Sequence, residues 1–157
     1  MASPARARSA RGLQVFLSYS RRDMAVADAM VAALEQHGIG VRIDRRDLPY
    51  GQKWQAELAD FIRAADTVIW LVSPNSVVSK WCNWELGEVT RLNKRLIPVS
   101  IAPVAFEQLP EAIGDVHLLP AEGTFRLHDH VGLLIDALET DGAWLKEHTR
   151  LADRARQ

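Results

Sequence analysis

From Leu13 onward the chain alternates between short apolar runs and amphipathic stretches, and that alternation most narrows the folds open to it. LQVFLSYS (13–20) has the branched and aromatic content of a buried strand. Asp23 to His37 reads as a helix, with Met24, Ala27, Met30, Val31 and Leu34 near one face and Gly38 as its stop. GVRID is a second short strand, and RRDLPYGQ is a loop punctuated by Pro49 and Gly51. A helix over Lys53 to Ala64, a strand TVIWLVS, a helix after Ser79 and a strand RLIPVSI follow in turn. Pro98 belongs at an end or bulge of that fourth strand, since a proline has no amide to give a ladder. PVAFEQLPEAI is a loop holding at most a short helix. VHLLPA is a fifth short strand, and His128 to Leu138 a last helix. Strands separated by helices predict an α/β fold with a parallel sheet covered on both faces.

One position breaks the pattern. In 79-SKWCNWELGEV-89, Ser79 can cap a helix whose Trp81, Cys82, Leu86, Val89 and Leu92 gather on one apolar arc. Glu85 falls inside that arc, where a carboxylate is costly to bury without compensation. Two readings stay open on pattern alone. Glu85 is a functional acid, or it sits at the margin of the arc with its stem packed and its head in water or paired with an arginine. Glu88, one turn on, is expected to face solvent and serves as the comparison position.

Composition and motifs remove several functions. With 157 residues, 48% of them hydrophobic, the chain is long enough to bury one real core. A net charge of −1 speaks against a nucleic-acid binder that relies on a broad basic surface. The longest nearly apolar run, Thr67 to Val72, is far too short to cross a bilayer. There is no GxGxxG after the first strand and no GxxxxGKS/T, and the third strand ends in Ser73 and Pro74 where a receiver domain would present an aspartate. The histidines, including His128 and His130, are too sparse for a metal site. Cys82 is the single cysteine, so it forms no internal disulfide and a reducing, cytoplasmic compartment is the default. It reads as a small core residue, with a reactive thiol as the other option.

Residues 1–12, rich in Ala, Ser and Arg, read as a disordered leader, with an organelle-targeting peptide as the alternative. The globular part spans 13–140. Residues 141–157 read as a helical extension, either the start of a linker to a further domain or a frayed end.

Four segments, in order and correctly spaced, resemble the Toll/interleukin-1 receptor (TIR) domain family, its bacterial members in particular. They are VFLSYSRRD (15–23), DRRDLPYGQKW (44–54), SPNSVVSKWCNWEL (73–86) and RLIPVSI (95–101). The resemblance implies a flavodoxin-like, five-stranded parallel sheet flanked by helices. It further implies the NAD-cleaving branch, in which the glutamate of a W-x-x-x-E segment is essential. Here that segment runs from Trp81 to Glu85, one helical turn apart on one face. The indole offers a flat surface to a planar ring, and the carboxylate can sit beside a ribose. NAD+ enters as substrate, with no cofactor and no metal.

Open α/β sheets bind ligands at the carboxyl ends of their strands. Ser18, Tyr19, Ser20 and Arg21 after the first strand are therefore candidate contacts, as are Asp44, Lys53 and Trp54 around the second loop. Tyr19, Trp70 and Trp84 are also natural packing residues. Arg21 resembles a family position near ribose and phosphates, with a plain surface charge as the alternative. Asp47, Leu48, Pro49, Tyr50 and Gly51 form a loop that in the family closes over the site and contacts a neighbouring subunit; Tyr50 departs from the smaller residue of many relatives.

Three functions follow as expectations. The first is an NAD+ glycohydrolase yielding ADP-ribose or a cyclic isomer, activated by self-association and acting in bacterial immune defence, without nucleic acid or membrane as partner. The second is a non-enzymatic module that recruits other TIR domains. The third is a related nucleoside-cleaving or ribosyl-transferring enzyme.

Overall fold

A computed structural model of the chain describes residues 12–43, 51–114 and 116–140. Four parallel strands, β1 (Gln14–Ser18), β2 (Gly40–Ile43), β3 (Thr67–Val72) and β4 (Arg95–Ser100), lie in the order β2-β1-β3-β4. Between them run α1 (Met24–Gln36), α2 (Gly51–Ala64) and α3 (Lys80–Arg91). After β4 come a short turn Phe106–Gln108, the four-residue α4 (Glu111–Gly114) and α5 (127–140). The parallel α/β fold expected from the alternation is what forms. The leader, the C-terminal extension, Asp44 and the loop residues Asp47, Leu48, Pro49 and Tyr50 lie outside the described residues. Gly51, Lys53 and Trp54 stand on the first turn of α2.

Successive residues of a strand face opposite sides of the sheet, and each side has its own core. Val15, Leu17, Ile69, Leu71, Ile97 and Val99 pack with Ala27, Met30, Val31 and Leu34 of α1 and with Leu134 and Leu138 of α5. Phe16 and Val68 face the other way, against Leu58 and Ile62 of α2 and Val89 of α3. Trp70 and Val72 continue that second face beneath Cys82 and Leu86. Burial on both sides explains why TVIWLV is buried at every residue.

Both α1 and α3 stop in the same way. Gly38 (φ 78°) and Asn93 (φ 52°) take the left-handed conformation. The amides of Ile39 and Lys94 then reach back to the Leu34 and Val89 carbonyls at 3.1 and 2.9 Å, which satisfies orphan acceptors of the last turn.

Two expectations need correction. The fifth strand, VHLLPA, is reduced to a single bridge, Val99 to Leu119, flanked by hydrogen bonds from Ser100 N to Leu119 O and from Leu119 N to Pro98 O. Pro98 stands inside β4 rather than at its end or at a bulge, paired in register with Trp70. Its carbonyl faces Leu119, so the side that lacks an amide is the nearly vacant edge, where a proline costs least.

Candidate functional site

In the order β2-β1-β3-β4 the chain leaves β1 toward one edge and later returns to β3 on the other side. The loops after β1 and β3 therefore diverge, and the crevice between them is where open sheets of this kind bind ligands. Asp23, in the turn Arg21–Asp23, ties the two loops together. Its carboxylate accepts from Ser73 Oγ at 2.6 Å and from Asn75 Nδ2 at 3.0 Å. Ser73 and Ser76 close the second loop on themselves: the Ser73 amide donates to Ser76 Oγ at 2.9 Å and the Ser76 amide to Ser73 Oγ at 3.0 Å.

That loop delivers the chain to α3. Ser79 caps the helix by accepting from Cys82 N at 3.2 Å, and Asn83 Nδ2 donates to Val77 O at 3.1 Å and Ser79 O at 2.8 Å. Two residues that are neighbours in the sheet register, Ser18 and Trp70, then fasten the helix from below. The Trp70 indole N–H donates to Cys82 O at 2.9 Å. The Ser18 hydroxyl donates to Glu85 Oε1 at 2.9 Å. Ser18 is 1% exposed and Glu85 4%. The anomaly of the apolar arc is thus a buried carboxylate with a hydrogen-bonding partner at the carboxyl end of β1, and its head is not in open water.

One turn earlier on the helix, half-buried Trp81 meets Trp84 edge to face, with ring centroids 6.0 Å apart and planes at 76°. Together with Lys80 and with Gln55 of α2 they line a groove of about 400 Å³. Such a corner suits a planar ring against an indole face, with an ammonium at hand for an anionic group.

The other candidates fall as follows. Tyr19 is buried in the α1-side core, as Trp70 is in the α3-side core. Ser20 is buried and accepts from Arg22 N at 3.4 Å. Arg21 is exposed on the turn beside the crevice. Glu88 does not stand open to solvent, as its position suggested. Its side chain is 16% exposed and is gripped by Arg91, whose Nε and Nη2 lie 3.1 and 2.6 Å from Oε2. Among the described residues no three His, Cys, Asp or Glu side chains gather as metal ligands would.

Ser18, Trp81 and Glu85 are brought to one end of the sheet, while the Asp23–Ser73–Asn75 clamp escaped the sequence reading. Its members lie 50 and 52 positions apart. The one legible signal was their place after β1 and after β3.

Cys82 is 1% exposed, and burial above all pushes its thiol up to about 12, with the nearby Glu85 carboxylate adding to the rise and the Ser79 hydrogen bond opposing it. A native thiol held protonated while an unfolded one ionises near about 8.5 stabilises the fold in full below that value. The contribution is lost as pH rises toward 12. At neutral pH a disulfide reagent is therefore expected to leave the folded protein unlabelled and to label one thiol per chain after denaturation. Rapid labelling of the folded protein would place Cys82 among the reactive cysteines.

Comparison with known proteins adds a family. The family model described as "TIR domain" matches residues 15–130. Toll-like receptor 6 of Mus musculus is 27% identical over 123 residues, which cover 73% of this chain and 16% of the receptor, so the chain spans well under two thirds of that relative. Among solved structures, the TIR domain of the Toll-related receptor TRR-2 from Hydra magnipapillata superposes with a TM-score of 0.63 at 22% identity, covering 82% of this chain and 97% of that one. The CMP N-glycosidase BcmB of Clostridium botulinum superposes at 0.55 with 16% identity, covering 77% and 97%.

Proposed function

The chain belongs to the TIR domain family, and from that premise we propose that it cleaves the bond between nicotinamide and ribose in NAD+. The observation that carries the reading is the buried Glu85 carboxylate, hydrogen-bonded to Ser18 and set one turn from the Trp81 groove. Breaking an N-glycosidic bond develops positive charge on the ribose, and a fixed anion stabilises that charge more than it stabilises the ground state. The Trp81 face receives a flat ring, and Lys80 supplies charge for phosphate. Water or a nucleophile of the substrate itself then takes the ribose carbon, giving ADP-ribose or a cyclic isomer.

The N-glycosidase among the structural neighbours supports the idea that a sheet of this shape can host such chemistry. Activation by self-association, a place in bacterial immune defence and a fused domain in a longer protein complete the proposal. They rest on resemblance alone.

A second reading has one observation in its favour. With Glu85 4% exposed, a substrate must open a path to it, whereas a TIR domain that only docks on others needs no access. Concentrated protein incubated with NAD+ or its fluorogenic etheno analogue separates the two, with cytidine monophosphate in parallel. Release of nicotinamide from NAD+ is expected. Release of a base from the nucleotide alone would favour the nucleoside-cleaving enzyme, and no release from either at high protein concentration would leave a docking module.

A further inference from the structure

Glu85 stands on a helix and Ser18 on a strand 67 positions away, yet the two meet at 2.9 Å with both side chains nearly shut off from water. Ser18 reaches the helix because of its parity. It follows Phe16 on the face of β1 that looks toward α2 and α3, while Val15 and Leu17 look toward α1. It stands at the carboxyl end of an interior strand, paired in register with Trp70 of β3. A hydroxyl there is a donor of fixed origin aimed at one oxygen of a carboxylate.

We propose that Ser18 is a positioning residue for the reaction assigned to Glu85: its hydroxyl holds the carboxylate in the rotamer that sets its charge beside the ribose. The inference rests on the NAD+-cleaving reading, and it gives Ser18 work through Glu85 in place of direct contact with substrate. A glutamate has three side-chain torsions, and a charge that must be held within about half an ångström of its productive position beside the reacting carbon loses effect quickly when it wanders. Ser18 removes that wandering at the one end of the side chain the helix itself does not control.

The test compares Ser18→Ala, Ser18→Thr and Glu85→Gln. A hydrogen bond to a charged group is typically worth about 1.5–3 kcal/mol, so Ser18→Ala is expected to lower kcat by about ten- to a hundredfold. KM should stay within about twofold, because the ligand loses no contact of its own. Ser18→Thr keeps the hydroxyl and should recover most of the rate. Urea unfolding of Ser18→Ala, of Glu85→Ala, which unlike the Gln variant removes the acceptor, and of their combination supplies a readout that needs no turnover. Non-additive effects show that the two side chains are coupled in the folded protein.

Additive unfolding effects, or a Ser18→Ala rate equal to wild type while Glu85→Gln is inactive, would overturn the positioning role and leave the NAD+ reading intact. A large rise in KM with kcat unchanged would overturn it too, returning Ser18 to substrate contact. A wild-type protein with no turnover at high concentration would sink the NAD+ reading itself and the catalytic role of Ser18 with it, and the unfolding cycle tells that case from the first.

Discussion

Replacing Glu85 with alanine is expected to reduce NAD+ cleavage by about a thousandfold, while the same change at Glu88 leaves the rate within about twofold of wild type. The magnitude comes from the charge: an anion at about 4 Å from a developing cation, in an effective dielectric near 20, contributes about 4 kcal/mol. That converts to roughly a thousandfold in rate. The two residues are three apart on α3 and chemically identical, but their surroundings differ. Glu85 is under 5% exposed and accepts a hydrogen bond from the Ser18 hydroxyl. Glu88 is neutralised by Arg91 and has nothing left to offer a substrate. Glu85→Gln is the sharper variant, since its amide oxygen can still accept from Ser18 and the volume is unchanged. Its loss of activity would be the loss of charge. Circular dichroism and a thermal melt on each variant separate catalytic from folding effects, and full activity in Glu85→Gln would remove the proposed mechanism.

Much of the fold could be read from pattern because each strand and helix carries its own local signature. The nearly apolar TVIWLV needs cover on two faces, and the structure puts a core on each side of it. Where the reading failed, no local signature existed. VHLLPA has the composition of a strand, but only Leu119 pairs with β4. Pro98 was expected at an end or bulge of the fourth strand, when it stands inside β4 because its missing amide faces an edge.

The site divides along the same line. Glu85 announced itself as a carboxylate within an apolar arc. Its partner did not, because Ser18 is an ordinary strand residue until another segment, 67 positions on, is laid over it. The Asp23 clamp is hidden for the same reason, and for Glu88 spacing gave the helix face but not the grip of Arg91. The parity of β1 did hold the answer in part: once Phe16 is placed toward α2 and α3, Ser18 must face them too.

Trp70 is the residue on which both the fold and this placement depend, and Trp70→Ala is expected to lower the unfolding free energy by about 3–5 kcal/mol. The indole is 0% exposed in the middle of β3, under Cys82, Leu86 and Ile113, so its removal opens a cavity that the flanking strands β1 and β4 cannot collapse into. Set against a total of about 5–15 kcal/mol for a typical domain, that loss brings the chain close to unfolding at room temperature. Trp70→Phe separates packing from anchoring. It keeps an aromatic ring in the core but gives up the N–H donated to Cys82 O, a change worth about 0.5–1.5 kcal/mol for the hydrogen bond alone, with the smaller ring adding to it.

Cys82 lies three residues before Glu85 on the same face of α3, and Trp70 lies beside Ser18 in the sheet. The two anchors therefore act on one turn of helix, and the Phe variant should lose turnover out of proportion to its stability. Urea unfolding of both variants checks the first half and steady-state NAD+ cleavage by Trp70→Phe the second. An alanine variant within about 1 kcal/mol of wild type would mean that the helix is held over the sheet by something other than this indole.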